Sequence, residues 1–140
     1  MTTGNQNMRT LVIPCSGIGK VHGLISREAT YALIDDLASD TTETMCLALL
    51  VSGDADSQAK IMQTDCITID GCPKLCASKN VTMAGGNVVK SIRVVDALKS
   101  HKGAKPGSAT KLDEDGWTIV QEIAGDIAKE ICQHHQCEVK

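Results

Sequence analysis

Hydrophobic positions in this chain fall into short continuous runs that alternate with stretches of helical spacing. Leu11, Val12 and Ile13 form the first run, closed by Pro14, and read as a strand buried on both faces that delivers Cys15 to its end. Ser16, Gly17 and Gly19 make a loop. Val21, Leu24, Ile25, Ala29, Ala32, Leu33 and Leu37 then keep the spacing of an amphipathic helix up to Ala38. The apolar run over residues 45–51, bounded by polar residues 40–44 and by Ser52-Gly53-Asp54, predicts a second buried strand, with Cys46 inside it or at its start. Residues 54–62 supply a short helical connection with Ala55, Ala59 and Met62 on one side. Next come the β-branched residues Ile67, Thr68 and Ile69, with Cys66 ahead of them, and a break at Asp70-Gly71. A helix follows over residues 73–84, stopped by Gly85-Gly86 as its C-terminal cap. Residues 88–95, with Val88, Ile92 and Val94, predict a fourth strand, and residues 99–116, with Pro106-Gly107 as a turn signal, an exposed loop. After Asp113 and Asp115, the positions Trp117, Val120, Ile123, Ala124, Ile127, Ala128 and Ile131 give the cleanest amphipathic helix, which should lie flat on the sheet. Residues 132–140 read as a polar tail that frays.

Strand runs alternating with helices predict an α/β fold, a three-layer sandwich with a mostly parallel sheet of about four strands flanked by helices. Residues 1–10 are expected to be a disordered N-terminal segment, and residues 11–140 a single domain, since 140 residues suffice for one ordinary core. In such folds the sites lie at the carboxyl ends of the strands, so Cys15 and the Asp-Gly-Cys turn, distant in sequence, should meet at one edge.

Composition narrows the function. Aromatic residues are nearly absent, with one Trp, one Tyr and no Phe, so the core must be aliphatic. A net charge of -3 leaves no basic footprint, which argues against nucleic acid or a polybasic membrane surface as partner. No apolar run approaches the roughly 20 residues that span a bilayer, and residues 1–10 lack the apolar core of a signal peptide, so the expected location is cytoplasmic. Seven cysteines in a reducing compartment point to metal ligation or thiol chemistry over structural disulfides.

Several motifs fail on their own mechanics. Gly17, Gly19 and Gly23 miss the dinucleotide spacing by one residue. Gly19-Lys20 is not followed by Ser or Thr, as a P-loop requires. A cysteine phosphatase needs an Arg six residues beyond its nucleophile to clamp phosphate, and that position after Cys15 is Val21. Thiolates suit a metal better. Zn²⁺ takes four tetrahedral ligands and favours sulfur. Cys72 and Cys76, one helical turn apart behind Pro73, supply two; Cys15 supplies a third and Cys46 a fourth if their strands present them at the same edge. Cys66, at the far end of its strand, reads as structural. Cys132, His134, His135 and Cys137 read as part of a solvated tail, and His22 and His101 as lone solvent-facing histidines.

The element Ile69-Asp70-Gly71-Cys72-Pro73-Lys74-Leu75-Cys76-Ala77, with Pro14-Cys15-Ser16-Gly17 and Met45-Cys46-Leu47-Ala48, resembles the DGC-domain family of bacteria and archaea. That family is named for its Asp-Gly-Cys element, and its zinc binding is inferred from four chelating cysteines. The resemblance covers residues 9–95 and implies the ligand set Cys15, Cys46, Cys72 and Cys76, with the physiological role unassigned. The first expectation is therefore a metal-binding protein with Zn²⁺, or an iron–sulfur cluster as the alternative cofactor, at the carboxyl edge of the sheet. Two other functions compete. One is a thiol-based redox or sulfur-relay enzyme using Cys72, beside Lys74, with Cys76 or Cys15 as resolving partner. The other is a non-catalytic accessory subunit that binds a larger partner enzyme or a second copy of itself, with the Trp117 helix as the interface.

Overall fold

The computed structural model describes residues 10–15, 20–39, 41–45, 47–71 and 74–135, with side chains through residue 131. The expected N-terminal segment therefore lies outside the described residues except for Thr10, which opens the first strand. In chain order the elements are β1 (Thr10–Pro14), α1 (Val21–Ala32) running on into a π-helical turn (Leu33–Leu37), β2 (Thr42–Thr44), α2 (Leu47–Val51) and α3 (Ala55–Gln63). Then follow β3 (Asp65–Asp70), α4 (Cys76–Met83), β4 (Asn87–Arg93), α5 (Val94–Lys99) and α6 (Glu114–His135).

The four strands form one parallel sheet in the order β2-β1-β3-β4. β1 and β3 are central. Leu11, Val12 and Ile13 in β1, and Ile67 and Ile69 in β3, are at most 2% exposed, as continuous apolar runs in a two-sided sheet should be. Pleating divides them. Val12, Ile67 and Ile69 pack against α1, α5 and α6 through Ile25, Ala29, Val94, Ile123 and Ile127. Leu11, Ile13 and Cys66 pack on the opposite face against α2, α3 and α4 through Leu47, Leu50, Ile61 and Val81. The result is the expected three-layer α/β sandwich. From β1 the chain steps outward to β2 on one face, then returns across the other face to β3 and β4. The chain thus changes direction between β1 and β3, which makes the carboxyl ends of those two strands the switch point of the sheet.

Three elements differ from the expectation. The run over 45–51 is not a strand: β2 consists of the polar residues Thr42–Thr44, and α2 takes up 47–51. Leu47 and Leu50 are buried while Leu49 and Val51 are 50% and 60% exposed, a period of three that suits a helical turn on the sheet and not a strand within it. Thr42 is held in place by donating its hydroxyl to Ala38 O at 2.7 Å, and its β-branched neighbours suit the edge. Residues 94–99, expected as the end of a strand and the start of a loop, form α5. Arg93 and Asp96 bridge its first turn, with Nε to Oδ2 at 2.9 Å. The tail is helical further than expected: α6 continues through His135, carried by Ile127 and Ile131, both buried against the sheet layer. Gly85-Gly86 does end α4 as predicted. Gly85, at φ 88°, donates to Thr82 O at 3.0 Å, and Gly86 donates to Val81 O at 2.9 Å, the paired bonds of a Schellman cap.

Candidate functional site

The carboxyl ends of β1 and β3 are where the two cysteine-bearing segments meet. Cys15, just beyond β1, donates its amide to Ile69 O at 2.9 Å, which extends the parallel pairing to the strand end. The residue is buried, and its sulfur accepts the Gly71 amide at 2.9 Å, with Ser26 Oγ 3.6 Å away. Gly71 is required here by close approach. A Cβ at this position would lie 2.9 Å from Gly23 N and 2.9 Å from the His22 carbonyl carbon, both main-chain atoms in the first turn of α1. The Gly of Asp-Gly-Cys thus lets the end of β3 pass beneath α1 and reach the Cys15 sulfur.

The Asp of that element has a different task. Asp70 is fully buried, and its carboxylate accepts the amides of Ala77 at 2.7 Å and Ser78 at 3.2 Å, in the first turn of α4. Burial pushes its carboxyl above the usual range, against the opposing pull of those two amides and of Lys79. Because this cap fixes the helix start, α4 begins at Cys76 and not at Pro73 as expected. Leu75, with φ 57° in the left-handed region, breaks any helix upstream of it. Of the two cysteines expected on this helix, Cys76 occupies its first position, and Cys72 lies outside the described residues. Sequence reasoning missed the cap because it acts across seven residues. The signal was negative: Cys72-Pro73-Lys74-Leu75 contains no Ser, Thr, Asp or Asn to cap a helix, which leaves Asp70 as the nearest acceptor.

A family model described as the DGC domain matches residues 11–122. The chain belongs to the DGC-domain family. The match runs beyond the expected residues 9–95, through α5 and into the first part of α6. No curated protein and no solved structure matches the chain.

Of the four cysteines expected to ligate, the described part of the DGC domain contains Cys15, buried at the end of β1, and Cys76, exposed at the start of α4. Cys46 and Cys72 lie outside the described residues. By chain position Cys72 follows Gly71, and Cys46 comes two residues after Thr44, which is paired with Val12 in the neighbouring strand. Among the described residues, no three His, Cys, Asp or Glu side chains form a group that could hold a metal.

The other candidates behave differently. Cys66 lies within β3, at the opposite end from Gly71, and donates its thiol to Thr64 O at 3.3 Å. Burial, reinforced by Asp65, pushes that thiol up to about 11, which keeps it protonated and inert. His22 is half-buried at the start of α1, and burial followed by the charge of Lys20 holds its imidazole below the usual range. His101 Nε2 meets Glu122 Oε2 at 2.6 Å, tying the loop after α5 to α6. Cys132, His134 and His135 belong to the helical backbone of α6, and Cys137 lies outside the described residues. Trp117, on the helix suggested as an interface, is 46% exposed. Among the described residues no helix is long and apolar enough to cross a membrane.

Proposed function

We propose that this DGC domain is a metal-binding protein that holds one Zn²⁺ through Cys15, Cys46, Cys72 and Cys76 at the carboxyl edge of its sheet. The observation that carries the reading is the 2.9 Å bond from the Gly71 amide to the Cys15 sulfur. It joins the Cys-Ser-Gly and Asp-Gly-Cys segments at the switch point of the sheet, with Cys72 one residue further along the chain. The donor set fits the group. Four thiols are the ligands of structural zinc sites, and an amide directed at a ligand sulfur is the kind of outer contact that orients such ligands.

In this reading Cys15 contributes from a rigid strand end and Cys76 from the first position of a helix, with Cys46 and Cys72 arriving from the ends of β2 and β3. Four thiolates close a tetrahedral shell and leave no position for water, so bound zinc would supply cross-linking of the strand ends, or storage of the ion, and not hydrolytic chemistry. The odd number of cysteines suits a reducing compartment, in keeping with a cytoplasmic location.

The test is metal per chain by elemental analysis of untagged protein, with Cys72→Ser and Cys15→Ser alongside. One zinc in the parent chain and its loss in the variants is expected; equal, negligible metal in all three refutes the reading. Anaerobic purification with a visible absorption spectrum separates zinc, which is colourless, from an iron–sulfur cluster on the same cysteines.

A further inference from the structure

Two features at the start of α4 carry a cost that a local cap would avoid. Asp70 buries a whole carboxylate to cap Ala77 and Ser78, where a Ser or Asn at position 75 would serve as a local cap. Leu75, the N-cap residue, has no side-chain cap bond and sits at φ 57°, a conformation unfavourable to Leu. Together they start the helix at Cys76, although Pro73 in the sequence suits the first turn of a longer helix. Strain of this kind, kept at one place, points to a constraint imposed by function.

We propose that Asp70 is a positioning residue for the metal site: its bonds to the Ala77 and Ser78 amides fix where α4 begins and so hold Cys76 at the carboxyl edge before any metal arrives. The inference rests on the zinc reading above. A matched control exists in Asp54, whose carboxylate accepts Ser57 N at 2.9 Å and caps α3, a helix that carries no cysteine.

The experiment measures zinc affinity by chelator competition, and the Co²⁺ absorption spectrum as a reporter of tetrahedral thiolate geometry, in the wild-type chain, Asp70→Ala and Asp54→Ala. Asp70→Ala should bind zinc on the order of 10–100-fold more weakly and lose the tetrahedral Co²⁺ signature, while Asp54→Ala keeps both. Wild-type affinity in Asp70→Ala, or equal weakening in Asp54→Ala, overturns the inference alone. A wild-type chain that takes up no zinc overturns the metal reading and this inference with it. Should Asp70→Ala not fold, amide exchange in the metal-free wild-type chain decides: Ala77 and Ser78 should be protected without metal, and free exchange at both refutes the positioning role.

Discussion

Adding one methyl group at Gly71 should destabilise the fold, although the same change elsewhere in the chain should stabilise it. In Gly71→Ala the new Cβ would stand 2.9 Å from Gly23 N, 2.9 Å from the His22 carbonyl carbon and 3.1 Å from its oxygen. These are main-chain atoms of a helical turn, so no rotamer change removes the clash, and α1 or the end of β3 must shift. Overpacking of this sort costs about 1–3 kcal/mol. Restricting the unfolded chain returns about 0.4–1 kcal/mol, so the net loss is about 0–2.6 kcal/mol, most of that range being a measurable loss. For a chain of this length that lowers Tm by up to about 9 °C. Gly125 provides the contrast. It lies in the middle of α6 with nothing within 4 Å of a built Cβ, so Gly125→Ala should gain about 0.8–1 kcal/mol of helix propensity. Thermal melts followed by circular dichroism, with urea titrations to check that m is unchanged, measure both. A Gly71→Ala variant melting at or above wild type, or two variants shifting in the same direction, would show that the approach of β3 to α1 is not as close as described.

Three further outcomes follow from buried groups. Thr68 Oγ1 is a buried side-chain oxygen with no hydrogen-bond partner among the described residues, so the near-isosteric Thr68→Val should stabilise by about 1 kcal/mol in urea titration; a loss of stability would mean that the hydroxyl is satisfied. Ile127, fully buried against the sheet, should cost about 2–5 kcal/mol on truncation to Ala by the same assay, and a cost under 1 kcal/mol would place α6 outside the core. The Cys66 thiol is raised from 9.0 to about 11 in the folded chain, so the folded state holds its proton where the unfolded state has lost it. Its contribution is complete below pH 9 and is lost as pH rises through about 11; Cys66→Ala should flatten that alkaline decline, and an unchanged decline would assign it to other groups.

The layered parallel fold was legible because its central strands are buried on both faces and so appear as unbroken apolar runs, Leu11 to Ile13 and Ile67 to Ile69. The Gly85-Gly86 cap and the stripe from Trp117 to Ile131 were legible for the same reason: each is a local pattern with one physical solution. Residues 47–51 were not, because a run of five apolar residues fits a strand or a turn of helix equally well, and which one forms depends on the layer it meets. The site divides in the same way. That Cys15 and the Asp-Gly-Cys turn share an edge follows from a parallel sheet, and the Gly71 contact bears this out. Starting α4 at Pro73 relied on a local rule, the preference of Pro for the first turn. Asp70 overrides that rule from seven residues away.

X-ray absorption at the zinc edge, on protein loaded with one equivalent of Zn²⁺, tests the central claim most directly. The account predicts a single shell of four sulfur scatterers at about 2.3 Å. A shell of nitrogen or oxygen at about 2.0–2.1 Å, or no protein-bound zinc after desalting, would contradict it.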